Sequence, residues 1–207
     1  MVDDDRQRQR LIRQAFRLEW LSVGWLAVEA VVAVASGVAA HSISLIAFGL
    51  DSIIELASAG VLIWRLSCEL KFGREVSEKA ERIARQSCGG LLFALAAYVV
   101  AAAAWSLSQG EGQVFSWSGL TVAALAVPIM LLLARRKRVL ARQLGSRALR
   151  ADAAEAVACI WLSVVVVVGV LAQLAFGAWW IDAVTSLAIV WFLVREGREA
   201  WVPDEDD

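Results

Sequence analysis

The chain has 207 residues, of which 59% are apolar, and its mean hydropathy is +0.63. A typical soluble domain is much less hydrophobic, so the composition excludes an ordinary soluble protein. The formal net charge of −1 does not point to any class of partner. The placement of the charged residues along the chain is more informative than their sum.

Six segments are apolar and long enough to be interpreted as membrane-spanning helices. A hydrocarbon core about 30 Å thick requires roughly 20 mostly apolar residues per helix. The six segments cover residues 20–39, 43–64, 88–107, 118–134, 152–173 and 178–194. We therefore predict an all-α membrane protein with six transmembrane helices.

The 20 Lys and Arg residues are confined to alternate connections between these segments. They lie at 6–17, 65–85, 135–150 and 195–198, and the other three connections have none. The positive-inside rule then predicts that both termini are cytoplasmic and that the number of spans is even. The basic run between spans four and five is interpreted as a topological signal, so no nucleic-acid partner is expected.

These boundaries divide the chain into three parts. We predict a cytoplasmic N-terminal arm at 1–19, a transmembrane domain at 20–194 and a short acidic cytoplasmic tail at 195–207. No cleavable signal peptide is visible, because the N-terminus is charged and long and no small-residue cleavage site follows a short apolar region. The expected location is the cell membrane, as a multi-pass protein, with the bacterial inner membrane as the specific prediction.

Two acidic motifs interrupt the apolar spans. Asp51 and Glu55 lie four residues apart in span two, while Asp152, Glu155 and Cys159 follow at spacings of three and four in span five. A carboxylate near the bilayer centre costs roughly 2.5–3.5 kcal/mol even on the lenient insertion scale, so several are not expected without a use. The spacings place these side chains on one stripe of each helix, which predicts a polar site between the two helices.

The predicted topology also places the two stripes at similar depth. At about 1.5 Å per helical residue, Asp51 and Cys159 lie near mid-membrane, and Glu55 and Glu155 lie about one turn closer to the cytoplasm. We therefore expect Asp51 opposite Cys159 and Glu55 opposite Glu155, as four ligands around one ion. Asp152 is expected instead to cap or begin span five at the cytoplasmic surface.

The residue types at these positions indicate a divalent cation. Carboxylates are hard oxygen donors, whereas a cysteine thiolate favours borderline-to-soft ions such as Zn²⁺. The single histidine, His41, lies several turns away, where we expect an exposed interfacial side chain, with an accessory role at the outer mouth as the alternative. Buried acids hold protons until a metal displaces them, so the same residues predict exchange of a metal ion for protons.

Three further acids are candidates for supporting hydrogen bonds or for a proton pathway: Glu29, Asp152 and Asp182. Glu29 lies near the centre of span one, where it faces a water-filled path, supports the ligands or is carried protonated. Asp182 follows two tryptophans at the start of span six. Its alternative role is a place in the first turn of its helix, where the macrodipole favours an acid.

Span three is rich in small residues at four-residue spacing. Gly90 and Ala94 form one such pair, and Ala97 and Ala101 form another. Small residues at this spacing allow two membrane helices to approach closely. The face is therefore predicted either to pack within the chain or to form a dimer contact.

The order of these motifs resembles a known family. The run SISLIAFGLDSIIELASAGVLIWRL resembles the second span of cation diffusion facilitators. The run LRADAAEAVACIWLS, followed by WWIDAVTSLAIV, resembles their fifth and sixth spans. The resemblance covers the whole six-span region in order, and it implies a cation-efflux-type transmembrane domain.

The resemblance implies a transporter, not an enzyme, with the metal bound by Asp51, Glu55, Glu155 and Cys159. It further implies export of Zn²⁺, or of Mn²⁺, Fe²⁺, Co²⁺ or Cd²⁺, from the cytoplasm in exchange for protons, by alternating access of a homodimer in the lipid bilayer. No permanent cofactor is implied. Glu55 and Cys159 stand where the family usually has Asp, and no His is present, so the metal preference stays open.

The family usually carries a C-terminal cytosolic domain that binds metal and helps dimerisation. Here only REGREAWVPDEDD follows the last span, so we expect the compact form without that domain, with dimer contacts made by membrane helices. Two rival functions remain on the residues alone: a membrane scaffold or subunit that does not transport, and a cation or proton channel. An intramembrane metalloprotease is excluded, because it requires two histidines in H-E-x-x-H.

Overall fold

The computed structural model describes residues 2–72, 78–110 and 114–201, and over those ranges it contains six α-helices and no β-strand. The predicted all-α architecture is confirmed. The helices are α1 (Val2–Ala40), α2 (Ile43–Phe72), α3 (Glu78–Gln109), α4 (Trp117–Leu144), α5 (Arg147–Phe176) and α6 (Ile181–Trp201).

Five of these helices, α1 to α5, are long and apolar enough to cross a membrane. A helix suits this environment because it satisfies its own backbone hydrogen bonds where no water is present. The sixth helix, α6, begins at Ile181, three residues later than predicted, and it carries Arg195 and Arg198 near its end. The protein is thus a multi-pass membrane protein whose last helix offers the shortest apolar length.

The basic segment between α4 and α5 is mostly helical. The αL conformation of Gly145 ends α4, and the Ser146 hydroxyl accepts a hydrogen bond from the Leu149 N–H at the start of α5. Only these two residues separate the helices, so the basic run extends α4 by more than two turns beyond the predicted span. Asp152 does not cap α5, because Ser146 is the cap, but the apolar membrane-spanning part of α5 does begin at Asp152, as the alternative predicted.

The N-terminal arm is part of the folded bundle. Helix α1 begins at Val2, so most of the residues of the predicted arm continue the first membrane helix. Its buried side chains contribute to an apolar cluster that is separate from the main core of the bundle and is formed by Ile12, Ala15, Leu62, Leu66, Leu140, Ala141 and Leu149. This cluster lies where α1 and α5 begin and α2 and α4 end, and we call that end of the bundle the basic end. The predicted arm and the transmembrane domain therefore share this apolar cluster.

Asp182 joins α6 to α2 at the opposite end of the bundle. It lies in the first turn of α6, as one of its two predicted roles requires. Its carboxylate accepts hydrogen bonds from the Ser42 hydroxyl at 2.7 Å, the Ile43 N–H at 2.6 Å and the Ser44 hydroxyl at 2.5 Å. A carboxylate is well suited to the N–H groups at a helix start, so Asp182 caps α2 from a neighbouring helix.

The neighbouring His41 is exposed and has a φ of 54° in the turn between α1 and α2. This placement agrees with the expected exposed side chain. The turn brings α1 and α2 into antiparallel contact, and the carboxylate of Asp182 holds the first residues after it. The ends of these three helices opposite the basic end are therefore linked.

Helices α1 and α2 pack closely through two glycines. A Cβ at Gly49 would lie 2.7 Å from the Val34 side chain and 2.8 Å from the Val34 backbone nitrogen. A Cβ at Gly37 would lie 2.7 Å from the backbone nitrogen of Ile46. Helix α2 also packs against α3, α5 and α6, so it occupies a central position in the bundle.

The small-residue face of α3 does not pack against the described part of the chain. Ala94, Ala97 and Ala101 are exposed, and a Cβ at Gly90 would meet no atom within 4 Å. Helix α3 uses other faces to contact α6 and α2. Packing within the chain, one of the two predicted roles of this face, is therefore not what the structure shows.

Candidate cation site

The sequence-predicted ligands lie between α2 and α5 in the interior of the bundle. Asp51 and Glu55 on α2 have exposed fractions of 5% and 7%, and Cys159 on α5 has 1%. Glu155 is partly buried on the same face of α5. Each of these four side chains interacts electrostatically with at least one of the other three. The two acidic stripes therefore face each other, as their spacing predicts.

The contacts between the two stripes are not limited to the expected pairs. Cys159 interacts electrostatically with both acids of α2, Asp51 and Glu55. The hydroxyl of Ser58, one turn after Glu55, donates a hydrogen bond to Glu155 Oε1 at 3.2 Å. Glu155 likewise interacts with both α2 acids, so the pairing of Asp51 with Cys159 and of Glu55 with Glu155 stays a prediction.

Glu29 of α1 completes the interior cluster from a third helix. It is fully buried, and its Oε1 accepts a hydrogen bond from the Ser52 hydroxyl at 2.7 Å. Its Oε2 accepts one from the Trp25 indole N–H at 2.6 Å. The thiol of Cys159 also contacts Glu29 Oε1, at 3.5 Å. Of its three predicted roles, the contacts match support of a proposed ligand.

In the described part of the chain, the donor atoms of this cluster do not form a coordination shell. Among the described residues, no three His, Cys, Asp or Glu side chains are arranged to hold a metal ion together. Two carboxylate oxygens nevertheless remain available, since Glu55 Oε1 and Glu155 Oε2 are buried without a hydrogen-bond partner in the described part of the chain. A buried polar atom of this kind is uncommon and requires an explanation. Binding of a cation by these groups would provide one.

A buried ion-paired triad lies on the basic-end side of the cluster. The Lys137 ammonium of α4 contacts Glu19 Oε2 of α1 at 3.0 Å and Asp152 Oδ2 of α5 at 2.5 Å. Exposed fractions are 1% for Lys137, 0% for Glu19 and 5% for Asp152. Lys137 also interacts electrostatically with Glu55 and Glu155. Asp152, predicted as a supporting residue, is therefore an ion-pair partner.

Glu19 and Lys137 are not among the residues predicted from motif spacing, although helical periodicity contains the signal. Lys137 follows Ala134 by three residues and precedes Ala141 by four, and both alanines are buried. Glu19 has the same relation to two other buried residues, because it follows Ala15 by four and precedes Ser22 by three. A charge at an apolar-face position is the mark of a buried ion pair. Lys137 stands within the basic run RRKR at 135–138, which the positive-inside rule interprets as a topological signal.

Comparison with known proteins gives the family. The search of curated proteins found no match. A family model described as the cation efflux transmembrane domain matches residues 20–202, which is most of the chain. Members of this family are transporters of cations and not enzymes. The sequence motifs, the six-helix architecture and this match agree, and the protein belongs to the cation efflux family.

Proposed function

We propose that this protein exports a divalent cation from the cytoplasm, Zn²⁺ by preference, in exchange for protons. The observation that carries the proposal is the buried cluster of Asp51, Glu55, Glu155 and Cys159 between two helices of a cation-transporting family. We assign these four side chains as the ligands of the transported ion. Glu29 supports the site through its contact with the thiol.

The donor set favours a borderline ion. Three carboxylates and one thiolate suit Zn²⁺ or Cd²⁺ better than Mn²⁺, because the sulfur is soft and its affinity follows the softness of the ion. Serine hydroxyls hold two of the acids in place: Ser52 donates to Glu29, and Ser58 donates to Glu155. We infer that Ser58 orients Glu155 for the ion.

Proton exchange follows from the burial of these groups. A charge in a low-dielectric interior must be paired or neutralised, so acids and a thiol that release a cation take up protons in its place. We propose that the cluster alternates between a metal-bound form and a protonated form as it faces each side of the membrane. The protein then carries the metal ion in one direction across the membrane and protons in the other.

We also propose that the protein acts as a homodimer in the membrane, with the small-residue face of α3 as its contact. Ala94, Ala97 and Ala101 are exposed on a helix that the bundle does not cover on that side. Small side chains at this spacing permit close helix approach in lipid. The cytoplasmic placement of the basic end, and location in a bacterial inner membrane, are part of the same proposal.

The test is metal uptake into proteoliposomes across a panel of Zn²⁺, Mn²⁺, Fe²⁺, Co²⁺ and Cd²⁺. We expect Asp51→Ala to abolish uptake and Cys159→Ser to shift the preference away from Zn²⁺ and Cd²⁺. Cys68→Ser is the matched thiol control and should leave the preference unchanged. If neither site substitution changed metal uptake, the assigned ligands would be disproved. If the wild type showed no uptake, a membrane scaffold that does not transport would be favoured.

A further inference from the structure

The triad of Glu19, Lys137 and Asp152 connects three helices through a single ammonium group. Lys137 lies on α4, Glu19 on α1 and Asp152 on α5, and both ion-pair distances are at most 3.0 Å. The two acidic oxygens are therefore no further apart than the sum of those distances. Movement of any one of these helices away from the others must break at least one ion pair.

The triad lies between the basic end and the proposed cation site. Asp152 precedes Glu155 by three residues on α5, which is about one helical turn. Lys137 lies in α4 one turn before Leu140 and Ala141, which belong to the apolar cluster at the basic end. A cation that approaches Glu155 along α5 from that end meets Asp152 and Lys137 first.

A buried ion pair differs from an apolar plug in how it opens. In the dry interior its charges are compensated only while the three groups stay together, because separation of the partners of a buried ion pair leaves an uncompensated charge. Charged groups, however, regain favourable hydration when water enters, while apolar groups do not. A triad of this kind can therefore alternate between a dry, paired form and a hydrated, separated form.

We propose that Glu19, Lys137 and Asp152 form the gate at the basic end of the transport path. In the closed form, Lys137 holds α1 and α5 against α4 and excludes water from the acids beyond. In the open form, Lys137 separates from Asp152, and the Asp152 carboxylate is exposed to an incoming divalent cation. The gate rests on the proposed function, since it controls access to the site assigned there.

The first test measures access to Cys159 from each side of the membrane. In the full-length protein with Cys68→Ser and Cys88→Ser, the rate of labelling by a membrane-impermeant thiol reagent is compared between sealed vesicles of opposite orientation. The gate variant is Glu19→Gln with Lys137→Met and Asp152→Asn, which removes all three charges and leaves none unpaired. We expect labelling from the basic end to rise by about tenfold, with no change from the other end.

Arg136→Met is the matched control, because Arg136 neighbours Lys137 in the same helix but is exposed. Its labelling rate should equal that of the unaltered triad. A gate variant that folds but labels at the control rate overturns the proposal. This readout needs no transport, so failure of the gate and failure of the proposed function are seen separately.

A second variant covers the case in which the neutral triad does not fold. With Glu19→Cys, Lys137→Ala and Asp152→Cys in the same cysteine background, a short reducible bis-thiol reagent can link α1 to α5 where Lys137 did. We expect the linked protein to lose metal uptake and to recover it after reduction. The same reagent on the protein with the native triad controls for modification of Cys159, and uptake that continues in the linked protein overturns the gate.

Discussion

The thiol of Cys159 is the one soft donor in the proposed ligand set. This thiol is almost fully buried and lies 3.5 Å from Glu29 Oε1, and it also interacts electrostatically with Glu55. A buried cysteine far from other polar groups would act as a small apolar side chain. The two neighbouring acids instead place this sulfur among potential ligands.

Direct ligation by Cys159 predicts a spectroscopic signal. In the protein with Cys68→Ser and Cys88→Ser, addition of Cd²⁺ should produce an ultraviolet sulfur-to-metal charge-transfer band, because the remaining thiol becomes a bound thiolate. Cys159→Ser in this background should remove the band. A band that persists in the triple serine variant would show that the absorbance does not come from thiol ligation, and full Cd²⁺ binding without any band would assign Cys159 to packing.

Among the individual residues, the acidic stripes were predictable and their partners were not. Spacings of three and four residues place Asp51 with Glu55, and Glu155 with Cys159, on one face of each helix. Spacing does not show which hydroxyl meets which acid across two helices, since that depends on tilt and offset. The contact of Ser58 with Glu155 is therefore known only from the structure.

The helices are positioned around the cluster by close contact of α1 with α2. Gly49 lies two residues before Asp51 and touches the backbone of α1 at Val34. On α1, Glu29 lies on the part that faces Ser52. The distance between these two helices therefore sets whether Glu29 reaches the other buried groups.

Gly49→Ala should push α1 away from α2, because the added Cβ meets the Val34 backbone at 2.8 Å. We expect a loss of about 1–3 kcal/mol of stability, typical of overpacking in a core. Thermal unfolding in detergent measures this loss. Gly60→Ala is the matched control on the same helix, where a Cβ would meet no atom within 4 Å, and it should be neutral or slightly stabilising. Equal effects of the two substitutions would contradict this account of the α1–α2 contact.

The lengths of the helices were less predictable than their number. Hydropathy identifies the apolar spans but not the polar turns that continue them, so α1 extends to Val2 and α4 extends to Leu144. These extensions are stabilised by tertiary contacts at the basic end, where Ile12 and Leu140 belong to one buried cluster. A sequence window that detects only lipid-facing hydrophobicity does not contain this information.

At the scale of the whole molecule, the two ends of the bundle have different chemistry. At the end where α2 and α6 begin, the carboxylate of Asp182 joins the two helices through hydrogen bonds. The basic end is held by the apolar cluster and by the ion pairs of Lys137. We infer that the hydrogen-bonded end and the ion-paired end open in turn, as alternating access requires.

The charge distribution predicts that both termini lie on the cytoplasmic side. Reporter fusions at each terminus, together with labelling of single cysteines near Gly110 and Gly177, test this topology. We expect both termini to be cytoplasmic and both loop positions to be labelled from outside. Termini on opposite sides would show that α6, the helix with the shortest apolar length, does not cross the membrane.

The central claim is that one buried cluster exchanges a divalent cation for protons. The most direct measurement follows Zn²⁺ and pH together inside proteoliposomes that contain the wild type or Asp51→Ala. We predict that protons move opposite to Zn²⁺ in the wild type, that an imposed pH gradient drives Zn²⁺ uptake against its own gradient, and that Asp51→Ala abolishes both. Zn²⁺ movement without proton movement, or coupled exchange that survives Asp51→Ala, would contradict the account.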